Sequence, residues 1–187
     1  RIAEILGKEA YCDTKAVEDA FCKVFYDKEN GFFYHDSAHT LKTKYGNIFA
    51  ILLDFASDEQ KVAISKNFDV DDFCKINTPY MKFYELCACA ETGNMKYVLD
   101  YMDYYWGGMI DEGATTFWEK YDPSQKGPEK YAMYGRKYGK SLCHSWGAGP
   151  LYIISRYLVG LRPLNDGFNE YLLKPYLLLH SCLYILL

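Results

Sequence analysis

The segment TPYMKFYELCACAETGNMKYVLDYMDYYWGG, Thr78 to Gly108, constrains the fold more than any other part of the chain. Thr78 offers a capping side chain, and Pro79 fits the first helical position, where its missing N–H is not needed. Gly93 stops that helix. After it, Met95, Val98, Leu99 and Met102 fall on one face at helical spacing, and the pair Gly107-Gly108 closes the second helix. Two helices joined by so short a turn lie antiparallel, so the segment encodes a helical hairpin.

The same signals recur along the chain. In Lys15 to Tyr26, Ala16, Val17, Ala20, Phe21, Val24 and Phe25 form an apolar stripe, with Asp13 or Thr14 as cap and Asn30-Gly31 ending the unit. Leu41 to Ala56 is apolar on nearly all sides after Gly46, as in a buried helix, and Ser57 caps the helix that follows. Residues 120–140 hold two prolines and three glycines and form a long loop, the kind that serves as a lid or binding loop. Ser141 to Val159 returns to helix, kinked or interrupted by Gly147, Gly149 and Pro150. Beyond Pro163 the sequence becomes strand-like. The expected pattern is about six helices in successive pairs and then a first strand. No repeat exists at the residue level, which disfavours a strict solenoid. Hairpins closing around a barrel give the same pattern.

Composition narrows the function. The net charge is −4, and no basic block is longer than Arg136-Lys137, which argues against nucleic acid as a partner. Nineteen Tyr, eleven Phe and three Trp fit either core and half-buried rim or a groove lined by flat rings. Seven cysteines, with Cys87 and Cys89 only two apart, fit buried reduced thiols in a reducing compartment, hence a cytoplasmic protein. His35, Asp36, His39 and Asp54 fix no complete ligand set, so neither metal nor other cofactor is expected. The ending YLLLHSCLYILL, Tyr176 to Leu187, is too short to cross a bilayer, and no membrane association is expected. The ending reads as a buried strand cut short or as a non-native tail. With Arg1 at the start, both ends look like cuts and the chain like a fragment.

One stretch, MIDEGATTFWEKYDP (Met109 to Pro123), has neither helical nor strand periodicity. It sets Trp118 beside Glu119 after a glycine and two threonines. By pattern alone, an exposed glutamate is the commoner explanation for Glu119, and a satisfied structural histidine for His144. Core packing is likewise the ordinary role of Trp106, Trp118 and Trp146.

The residues as a set resemble a known family. YYWGGMIDEGATTFWEKYDPS, Tyr104 to Ser124, with EKYAMYGRKYGKSLCHSWGAGPLYIISRYLVGLRP, Glu129 to Pro163, is similar to the bacterial α-L-rhamnosidases of glycoside hydrolase family 78. The similarity runs from Glu18 to Pro175. It implies an all-α fold, part of an (α/α)6 barrel of six helical hairpins, within a longer protein that also carries β-sandwich domains. Residues 1–163 would be the C-terminal half of that barrel. Residues 164–187 would be the truncated start of the following β domain, or a non-native tail.

The resemblance also implies a mechanism. An inverting glycosidase uses an acid to protonate the leaving oxygen and a carboxylate, about 6.5–9.5 Å away, to activate water. The second role maps onto Glu119, and the acid lies in a segment upstream of this chain. A base must stay ionised, so it needs donors; Thr115, Thr116 and the amides after Gly113 are candidates, with Trp118 as a wall. The resemblance turns His144 toward the sugar, makes Trp106, Trp118 and Trp146 stacking candidates, and brings Tyr134 in from the long loop. Asp111 and Glu112 are rim groups. Arg136 and Lys137 either meet downstream sugars or are solvated. The expected partner is a rhamnose-containing carbohydrate, and the 187 residues alone are expected to be inactive. Two alternatives remain open: a non-catalytic protein-binding array of helical hairpins, and an (α/α)6 hydrolase for another sugar.

Overall fold

The computed structural model describes residues 2–68 and 72–176, so the apolar ending from residue 177 onward lies outside the described residues. The chain falls into two compact units. One comprises the residues up to Ile76 with Glu91–Asn94; the other comprises Asn77–Ala90 and the described residues from Met95 onward.

The first unit contains α1 (Ile2–Ile5), α2 (Thr14–Phe25), a hairpin of β1 (Tyr26–Asp27) and β2 (Phe32–Phe33), α3 (Lys44–Leu52) and α4 (Asp58–Ser65). Its helix starts follow the sequence signals. The Asp13 carboxylate accepts from the Ala16 N–H, and Ser57 and Gln60 form a reciprocal capping box at α4. Phe33, Ile48, Ile51, Ile64 and Phe68 form the core, with the Phe21 ring stacked on Phe33 at 4.8 Å. Buried Asn47 is fully used: its side chain accepts from Phe33 N and donates to the carbonyls of Phe33 and Thr43.

Two expectations change here. Helix α3 is shorter than Leu41–Ala56 and is buried on one face only, through Asn47, Ile48, Ala50 and Ile51; Leu53 is exposed. The chain turns at Asp54 (φ 58°), and the N–H groups of Phe55 and Ala56 fold back onto the Ala50 carbonyl. The thiols also differ. Of the six described cysteines, Cys87 and Cys89 are buried, whereas Cys12, Cys74 and Cys143 are exposed on irregular segments.

The polar groups around His35 have protein partners. His39 Nε2 lies 2.8 Å from the Val24 carbonyl, and the Asp36 carboxylate accepts from the backbone of Ala38, Thr40 and Leu41. Asp54 pairs with Lys61. Among the described residues no group of three His, Cys, Asp or Glu is placed to hold a metal ion.

The second unit begins with α5 (Pro79–Glu91) and α6 (Met95–Met102), the hairpin expected from Thr78–Gly108. A buried polar cluster joins them. Lys82 and Glu85 are 2% and 0% exposed, their charged groups 2.5 Å apart. Tyr97, from α6, donates to Glu85 at 2.9 Å, and the Lys82 ammonium sits 4.1 Å from the centre of the Tyr101 ring. Burial, with the adjacent Glu85 charge, pushes the Tyr97 phenol up, so it remains a neutral donor.

Gly107 and Gly108 do not close the second helix. It continues through a π-helical turn, Asp103–Gly107, into α7 (Gly108–Asp111). Gly108 is there for close approach: a Cβ would come within 2.5 Å of the Tyr121 hydroxyl. Residues 141–144 are not helical either. The segment expected as one helix holds a 3₁₀ turn (Ser145–Gly147), α8 (Gly149–Ile153, with Pro150 in its first turn) and a π-helical turn (Ile154–Leu158). A short antiparallel pair follows, β3 (Leu161–Pro163) with β4 (Tyr171–Leu173), Leu161 opposite Leu173. The described chain is therefore helix-rich with two small two-stranded sheets.

Candidate active site

Glu119 stands on an irregular segment that is joined by backbone bonds to residues 141–144. The Glu119 N–H donates to the Ser141 carbonyl at 3.0 Å, and the His144 N–H donates to the Phe117 carbonyl at 2.8 Å. Thr116 Oγ1 donates to the Leu142 carbonyl. These bonds join GATTFWE to SLCHSW across the long loop.

The Glu119 carboxylate has two donors. Tyr134 Oη donates to Oε1 at 2.6 Å, and the Ser141 N–H donates to Oε2 at 3.0 Å. The phenol hydrogen bond, then the backbone N–H, hold the carboxyl below its usual range, and positive charge on His144 acts in the same direction; partial desolvation opposes them. The carboxylate also pushes the Tyr134 phenol up. Glu119 is half-buried, and its two donors hold the carboxylate in the ionised form.

The donors differ from those expected. Thr116 spends its hydroxyl on Leu142, and the carboxylate is served by Tyr134 and Ser141 instead. Tyr134 sits at φ 53° in a tight turn closed by reciprocal backbone bonds between Met133 and Arg136, which carries its exposed ring to Glu119. Ser141 was missed because the contact is through its backbone, to which sequence is silent.

The three tryptophans separate by burial. Trp106 is 7% exposed, and its indole N–H donates to the Gly147 carbonyl at 2.8 Å. Trp118 is 3% exposed, with the Lys140 ammonium 4.6 Å from its ring centre. In this chain both are packing residues rather than open stacking faces. Trp146 is 59% exposed, edge-on to the half-buried His144 ring at 5.0 Å and 4.9 Å from Tyr80. Gly147 anchors this corner: a Cβ there would lie 2.6 Å from the Phe117 Cβ.

Of the rim acids, Glu112 pairs with Lys130 of the long loop, which holds its carboxyl below the usual range, and Asp111 is exposed. The structure thus brings Glu119, Tyr134, Ser141, His144 and Trp146 to one locality.

No protein-family model and no curated protein sequence matches the chain. Solved structures do. The chain is similar to a rhamnosidase from Klebsiella oxytoca with rhamnose bound, at a TM-score of 0.67 and 26% identity, over 76% of this chain and 27% of that one. It is also similar to a GH78 family rhamnosidase of Bacillus sp. GL1, at a TM-score of 0.70 and 22% identity, over 87% of this chain and 17% of that one. The chain therefore shares its fold with part of these rhamnosidases and spans about a quarter or less of their length.

Proposed function

We propose that this chain is part of the catalytic domain of an inverting glycoside hydrolase that releases terminal α-L-rhamnose, with Glu119 as general base. The observation that carries the proposal is the seat of Glu119: two donors, from Tyr134 and Ser141, keep an accessible carboxylate ionised beside His144. The likeness to a rhamnose-bound rhamnosidase over 76% of the chain supports the choice of sugar.

In this proposal a water between Glu119 and the anomeric carbon loses its proton to the carboxylate as it attacks, while an acid outside these 187 residues protonates the leaving oxygen. His144 donates to a sugar hydroxyl, and Trp146 offers its open face to the ring's C–H groups. Residues 1–163 form part of an (α/α)6 barrel, residues 164–187 are either the start of a following β domain or a non-native tail, and the protein works in the cytoplasm. The isolated chain, lacking the acid, is inactive. A purely protein-binding module gives no reason for a carboxylate held by two donors beside an imidazole.

The test is hydrolysis of p-nitrophenyl α-L-rhamnoside by the full-length protein carrying Glu119→Gln. Loss of the base lowers kcat about 10²–10⁴-fold. Near-normal turnover would remove Glu119 from the mechanism.

A further inference from the structure

Lys140 is a buried cation that the Glu119 site leaves unexplained. It is only 7% exposed, with no ion-paired carboxylate among the described residues. Its ammonium faces rings instead, 4.6 Å from the centre of Trp118 and 5.8 Å from that of Tyr131. Burial, then the like charges of Lys120 and Lys130, push the ammonium down, against the attraction of Asp122. An aliphatic side chain would fill this space without desolvating a charge. What lysine adds is the attraction between a cation and two ring faces, which grows as water is excluded.

The two rings stand where the long loop has to be held. Trp118 immediately precedes Glu119. Tyr131 ends a 3₁₀ turn, Gly127–Tyr131, and its carbonyl accepts from the Lys140 N–H at 3.1 Å. Between Tyr131 and Lys140 lies the tight turn that brings the Tyr134 hydroxyl to Glu119 Oε1. Directly after Lys140 comes the Ser141 N–H that serves Oε2. Both donors of the carboxylate therefore hang from the span that Lys140 closes. Much of that span is open to solvent: the Tyr134 and Tyr138 rings are exposed, as are Arg136 and Lys137. A second tie, the Lys130–Glu112 pair, lies on the rim.

We infer that Lys140 is a positioning residue for the proposed base: its ammonium, clasped by Trp118 and Tyr131, fixes the long loop so that Tyr134 and the Ser141 N–H stay on the Glu119 carboxylate. Lys140 acts through the rings and the backbone rather than on the carboxylate itself. The inference rests on the proposed hydrolase function and deepens it by assigning what holds the base in its seat.

The experiment uses the full-length protein carrying Lys140→Met, which keeps the volume of the stem and removes the cation. As the two donors lose their hold, the Glu119 carboxyl rises and the acidic limb of kcat/KM for p-nitrophenyl α-L-rhamnoside moves to higher pH. The move persists in high salt, where a through-space effect of the lost charge fades. The loop is read directly by trypsin, whose cleavage at exposed Lys126, Arg136 and Lys137 follows the open fraction of the loop. Cleavage is expected to be about tenfold faster in Lys140→Met, a ratio equal to about 1.4 kcal/mol of cation–ring attraction. Tyr131→Leu also speeds cleavage, and the double variant gains less than the product of the two single effects, because both changes act on one clasp. An acidic limb that stays in place, cleavage that stays slow, or single effects that multiply in full would each overturn the inference. Failure of the base assignment reads out separately, as normal hydrolysis of p-nitrophenyl α-L-rhamnoside by Glu119→Gln.

Discussion

Replacing Lys82 with Met tests how the α5–α6 hairpin is held. Glu85 is fully buried, and the Lys82 ammonium lies 2.5 Å from its carboxylate. Met is close to the Lys stem in volume, so packing changes little and the lost term is mainly the cation. Breaking a buried pair by removing one partner costs about 3–5 kcal/mol, because the desolvated charge that remains has lost its counter-charge. With a urea m-value of about 2 kcal/mol/M, the denaturation midpoint falls by about 2 M. The double change Lys82→Met/Glu85→Gln removes both charges and keeps a carbonyl for the Tyr97 hydroxyl now bonded to Glu85. It is expected to be more stable than Lys82→Met alone, by about 1–3 kcal/mol. The assay is urea unfolding followed by tryptophan fluorescence, assembled into a double-mutant cycle. A Lys82→Met cost below about 1 kcal/mol, or a double variant no better than the single, would refute the assignment of the hairpin's stability to this pair.

Two further outcomes follow from the site. Tyr134→Phe removes the leading cause that holds the Glu119 carboxyl low, so its pKa rises; because the base works ionised, the acidic limb of the kcat/KM profile moves to higher pH. A limb that stays in place separates Tyr134 from Glu119. Gly147→Ala pushes a Cβ to 2.6 Å from Phe117 and 3.2 Å from the Trp118 carbonyl, at a cost of about 1–3 kcal/mol in stability. It also displaces the segment carrying Glu119, and kcat is expected to fall more than KM rises; unchanged kcat with lowered Tm would confine Gly147 to packing.

What was legible in sequence was mostly local. Asp13, Ser57 and Pro79 mark helix starts because capping needs only a few neighbouring residues. The pair Gly107-Gly108 reads as a helix end because the sequence shows missing side chains and not the Tyr121 side chain packed against Gly108. Glu119, His144, Tyr134 and Trp146 are singled out by the motif pair, and the structure brings them to one locality. The seat of Glu119 is not legible there, since it depends on pairing residues 117–119 with 141–144 across the loop. The burial of Trp106 and Trp118 was equally hidden, because an indole has the same one-letter code in a core and on a rim.

The π-helical turn at Asp103–Gly107 has a consequence for how this protein tolerates change in chain length. Such a turn holds one more residue than the α-helical turn it replaces, and each residue of an α-helix advances the next by about 100°. Because the wide turn absorbs its extra residue within a single turn, deleting one position there restores an α-helical turn and leaves the downstream heading nearly unchanged. Met109 would stay in the interior. The same deletion in the α-helical turns upstream would rotate everything after it by about 100°, so this turn is where the chain absorbs a one-residue change in length.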